Sequence, residues 1–116
     1  MSSSILNDTK KLLGLDPEYD NFDVDIIIHI NSVFSVLTQL GVGPTEGFSI
    51  DDSSSTWADF IPSEDKRLNM VKSYMYAKVR LMFDPPSGSH KDALENVCNE
   101  MEFRLNVQVD PGDSFK

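Results

Sequence analysis

The side chains able to do covalent or proton-transfer chemistry are few: His29, His90 and the single cysteine, Cys98. A thiolate–imidazole pair would make a nucleophile, and His90 and Cys98 fall on one predicted helix. Eight residues of helix separate them by roughly 12 Å at 1.5 Å per residue, too far for a hydrogen bond. Cys98 also sits on an apolar stripe, where cysteine acts as a small hydrophobe. His29 falls on the polar side of its helix, as a surface histidine would. None of the serines lies in a Gly-x-Ser-x-Gly elbow, and the six glycines are scattered rather than gathered into a phosphate-cradling loop.

Carboxylates offer a different chemistry. Asp16, Glu18 and Asp20 occupy the first, third and fifth places of a calcium loop. The pattern then fails, because Asn21 stands where the sharp turn needs glycine and Ile27 where a bidentate Glu is needed. Asp51 and Asp52 lie in a polar turn with nothing apolar to raise a pKa. The residues therefore predict no catalytic site, no metal site and no cofactor.

The charge balance narrows the partners. Ten Lys and Arg stand against 19 Asp and Glu, for a net charge of −9. That balance repels a phosphate backbone and argues against nucleic-acid binding. Residues 1–60 carry ten acids and only Lys10 and Lys11, while Lys66, Arg67, Lys72, Lys78 and Arg80 cluster in the second half. In a head-to-tail oligomer this basic segment could face a neighbour's acidic half; a solvated helix face is the plainer reading. A lone cysteine rules out an intramolecular disulfide and suits a reducing compartment. The start, Met1-Ser2-Ser3-Ser4, has neither the basic nor the apolar region of a secretion signal. No apolar run approaches a membrane span.

The elements read as a mainly α chain: a small bundle of about four helices in one domain over residues 1–116. A first helix over 4–13 carries Ile5, Leu6, Leu12 and Leu13 on its apolar stripe, with Ser3 or Ser4 as cap and Gly14 at the end. A second runs from about Asp23 to Leu40, with Ile26, Ile30, Val33, Leu37 and Leu40 inward and Ile27 and Phe34 broadening the face. Ile28 and Val36 lie off that stripe and predict contacts on more than one side. A third spans Ser63 to Phe83, capped by Ser63, with Leu68, Val71, Tyr74, Met75, Val79 and Met82 inward and Asp84-Pro85-Pro86 ending it. A fourth starts near Ser87 or Ser89, with Asp92 in reach of a capping box, and buries Leu94, Val97, Cys98, Met101 and Leu105. Residues 107–116 read as a flexible tail.

Between helices two and three lies an irregular insert, the class of segment that often carries function. Phe48-Ser49-Ile50 alternates as a short strand would, and Thr56 to Ile61 suggests one helical turn. Trp57 and Phe60 either fold back to cap the core or form a partner-binding patch, since aromatic residues are favoured interface anchors.

The order of these segments is itself informative. Ile5-Leu6-Asn7-Asp8-Thr9-Lys10-Lys11-Leu12-Leu13-Gly14 precedes an acidic turn, and Asp25-Ile26-Ile27-Ile28-His29-Ile30-Asn31 leads to Leu40-Gly41-Val42-Gly43. Gly47-Phe48-Ser49-Ile50 and Thr56-Trp57-Ala58-Asp59-Phe60 follow, then Phe83-Asp84-Pro85-Pro86 and Glu102-Phe103-Arg104-Leu105-Asn106. Over about residues 4–110 this resembles the head-to-tail connector (adaptor) proteins of long-tailed double-stranded-DNA bacteriophages. The resemblance implies a structural virion protein, assembled in host cytoplasm as a homo-oligomeric ring, typically of twelve copies, at the head–tail junction. Its implied partners are the portal protein and a stopper or head-closure neck protein, with double-stranded DNA passing through the ring without specific binding. It implies that the C-terminal segment, with Val107, Val109 and Phe115, reaches the portal. The insert, with Phe48, Trp57 and Phe60, would face neighbours or the next neck component. Two alternatives remain: another phage neck or tail-completion protein, and an acidic DNA-mimic inhibitor of a host nucleic-acid enzyme. A mimic needs its acids aligned on one face, and the bases of the third helix interrupt such an array.

Overall fold

The computed structural model describes residues 3–109. Its helices are α1 (Ile5–Leu12), α2 (Asp23–Gln39), the single turn α3 (Trp57–Phe60), α4 (Leu68–Phe83) and α5 (Ser89–Val109). α4 is central: α1, α2 and α5 all pack against it, and α1 also packs against α2. One cluster of buried apolar side chains draws on every helix, from Ile5 through Ile26, Trp57 and Val71 to Leu105.

Local chemistry explains the boundaries. Ser4 caps α1, its hydroxyl accepting from the Asn7 amide at 3.2 Å. α2 stops where Gly41 takes φ +85°, so that the Gly41 and Val42 amides turn back to the carbonyls of Thr38 and Leu37. That left-handed step suits glycine and satisfies carbonyls the helix would otherwise leave open. Asp23 and Asp25 lie in the first turn of α2, at the positive end of its dipole.

Four expectations need correction. Ser63 caps no helix; residues 62–67 form two successive turns, and α4 begins only at Leu68. Asp65 controls that entry, its carboxylate accepting from the Arg67 amide at 2.9 Å. Residues 48–50 form no strand: the Asn31 side-chain amide takes both backbone groups of Ile50, accepting from its N–H at 2.8 Å and donating to its carbonyl at 3.0 Å. Among the described residues the β-type pairing is the isolated antiparallel bridge between Ser4 and Thr56. Leu12, Met82 and Val97, expected inside, are exposed, whereas Thr9, Lys10 and Ala77 are buried. Finally, residues 107–109, expected in a tail, continue α5, while Phe115 and the rest of that segment lie outside the described residues.

Among the described residues no helix is long and apolar enough to cross a membrane.

Candidate functional site

The groups capable of chemistry are kept apart. Cys98 is buried on the inner side of α5, and burial, with Glu102 and Glu95 nearby, pushes its thiol above the ordinary value, with Lys78 opposing. Such a thiol is a poor nucleophile at neutral pH. His90 is exposed near the start of α5 and His29 is half-buried on α2. In the acidic connector, Asp16 accepts from the Glu18 amide at 2.9 Å. Asp23 faces inward, its Oδ1 2.8 Å from the ammonium of Lys10. That oxygen is held by charge rather than by an aligned hydrogen bond. Among the described residues no three His, Cys, Asp or Glu side chains converge as metal ligands would.

In the sequence Lys10 is only a base that interrupts the α1 stripe, with no sign of a structural role. Only 1% of it is exposed, and its ammonium bridges Asp23 and the Pro17 carbonyl at 2.8 Å. This single cation ties α1, the connector and the start of α2 together. A buried charge persists only when paired in this way.

The insert is anchored by its aromatic rings. Trp57 is 1% exposed; its indole N–H donates to Asp8 Oδ2 at 2.9 Å, and Lys72 lies 5.7 Å above the ring. Asp8 also accepts from the Ser3 hydroxyl. The Ile5 amide donates to the Ser55 carbonyl at 3.0 Å and the Trp57 amide to the Ser3 carbonyl at 3.3 Å, so the start of α1 is stitched to the start of α3. α3 carries a reciprocal cap, in which Asp59 accepts from the Thr56 amide at 2.8 Å. Phe60 is buried, and half-buried Phe48 completes a three-ring cluster with it and Phe34, centroids 4.7–5.3 Å apart. Such aromatic packing stabilises beyond area alone. Of the residues expected to meet partners, then, Trp57 and Phe60 belong to the core and Phe48 flanks it. Val107 and Val109 fall in the last turn of α5.

A second polar knot joins α4 to α5. The buried Tyr74 hydroxyl donates to Glu102 at 2.6 Å, and Lys78 stands 3.5 Å from the same carboxylate. Burial, then the Glu102 carboxylate, push the Tyr74 phenol far above its ordinary value.

What remains for partners is surface shape. A cleft of about 460 Å³ lies between α2, α4 and α5, lined by Val36, Lys78, Leu81, Met82 and Asn99 among others. A groove of about 370 Å³ lies between α4 and the start of α5, lined by Tyr76, Arg80, Pro86, His90 and Leu94. Large apolar side chains stand in solvent on α2 (Val24 and Ile28) and on α5 (Phe103).

A model of the family described as phage connector protein matches residues 5–112, nearly the whole chain. The chain belongs to this phage head-tail connector family. Neither the curated proteins nor the solved structures include a match. Connectors of this family are structural proteins, which accords with side chains spent on packing α1, α2 and α5 around α4.

Proposed function

We propose that this connector is the adaptor that sits below the portal of a long-tailed double-stranded-DNA phage. It forms a ring, typically of twelve copies, that extends the DNA channel and receives the stopper or head-closure protein on its far side. The observation that carries this reading is the family match over residues 5–112. Val24 and Ile28, adjacent on one turn of α2, and Phe103 on α5 are exposed apolar side chains that such a ring could cover. The net charge of −9 supports it too: a lumen that gripped phosphates would hinder passing DNA.

In this reading the chain acts as one connector domain in the virion, after assembly in the host cytoplasm. The segment bearing Val107, Val109 and Phe115 meets the portal. The insert meets a neighbour or the next neck protein through its exposed polar residues 51–54, held in shape by Trp57, Phe60 and Phe48 from beneath.

The test is to add purified protein to portal-bearing heads made without it and to image them. A new ring at the portal vertex, with heads that now accept tails, is the expected result. Binding to free tails with none to heads would make the protein a tail-completion factor instead.

A further inference from the structure

We propose that the outward face of α2 on one copy docks into the groove between α4 and the start of α5 on a second copy. This inference rests on the ring reading above and names the surfaces that would build it. Val24 and Ile28, one helical turn apart, are 72% and 57% exposed, opposite the inward-facing Ile26 and Ile30. Exposed Asp20 and Asp25 flank them in the chain, and no Lys or Arg occurs between residues 12 and 65, so α2 itself brings only negative charge to this face.

The groove is its complement. Half-buried Tyr76, Pro86 and Leu94 give it apolar walls, and Arg80 and His90 stand within it, with exposed Lys91 beside them. Arg67 and Arg104 each hold a carboxylate, at 2.7 and 2.6 Å. Arg80 instead donates to two neutral oxygens, the Asp84 carbonyl at 2.7 Å and the Tyr76 hydroxyl at 3.3 Å. Among the described residues no carboxylate pairs with it, so it retains the capacity to take an acid from another molecule. Two α2 faces pressed together would set Asp25 against Asp25, which disfavours a self-complementary dimer. The two surfaces share no residue, so each copy can use both at once. A contact of that kind propagates and closes into a ring when its rotation allows.

The test uses assembled particles. Ile28→Cys and His90→Cys alter exposed residues and are placed singly and together in the chain that complements a phage lacking it. After mild oxidation, the double variant in purified particles should run as a ladder beyond the dimer, and either single variant as monomer. Particles containing the double variant but showing no ladder, or dimers from Ile28→Cys alone, would overturn the proposal while leaving the connector reading intact. Absence of the wild-type chain from particles would overturn the connector reading itself, and this inference with it. If the cysteine pair is excluded from particles, charge reversal decides. Asp25→Arg and Arg80→Asp should each lower incorporation about tenfold and together restore most of it. Failure to restore would refute the contact.

Discussion

Trp57 is where a residue-scale account is most exposed to test. Its ring is buried and its N–H is committed to Asp8, so Trp57→Ala should cost about 3–5 kcal/mol in denaturant unfolding. Parental stability with failed assembly would show that the ring acts on a partner instead. Tyr74 and Cys98 make a pH prediction. Both are acids whose folded-state pKa is raised, by burial first. Their contribution is fully present below the ordinary values, 9.0 for the thiol and 10.0 for the phenol, and is lost as pH rises beyond them. Unfolding free energy should therefore fall between about pH 9 and 11. Tyr74→Phe should flatten part of that fall while costing about 1 kcal/mol at neutral pH, where Glu102 loses a donor. A buried Cys98 is legible in the sequence because it repeats with Leu105 on one helical face. Lys10 is not legible: a lysine between Thr9 and Lys11 reads as solvated until folding brings Asp23 and the Pro17 carbonyl to its ammonium.

At the scale of elements, periodicity identifies α1, α2, α4 and α5, because each buries one stripe against its neighbours. It fails where a tertiary contact overrides a local pattern. The alternation at residues 48–50 looks like a strand, yet Asn31 supplies from a helix the hydrogen bonds that a partner strand would. Replacing Asn31 with Ala should leave helix content nearly unchanged but loosen the insert, seen as faster amide exchange at Ile50. The insert is also held from its start. Gly43 has φ +87°, and a Cβ there would fall on the Phe60 ring. Gly43→Ala should therefore destabilise by about 1–3 kcal/mol, as overpacking beside a left-handed backbone does; an unchanged melting temperature would contradict the packing described.

For the whole molecule, the sequence indicates a mainly helical chain with one core. It also puts Ile28 and Val36 off the α2 stripe; in the folded chain Val36 is half-buried and Ile28 stays exposed, as does Val24, which the pattern does not single out. Which molecule covers them is not written in any periodicity, since burial on folding and burial on assembly leave the same pattern. The family match makes the chain a phage connector; whether a second copy covers Val24 and Ile28 is a separate step, decided by the cross-linking test. The buried core runs from Ile5 to Leu105, so a chain lacking residues 110–116 should melt like the parent yet attach more weakly to portal-bearing heads; full attachment would dismiss the C-terminal segment as the portal contact.

The most direct measurement is electron microscopy of a lysate from the encoding phage or prophage with this gene deleted. The account predicts DNA-filled or emptied heads without tails beside complete free tails, rescued by supplying the chain in trans. Normal, infectious particles in that lysate would contradict it.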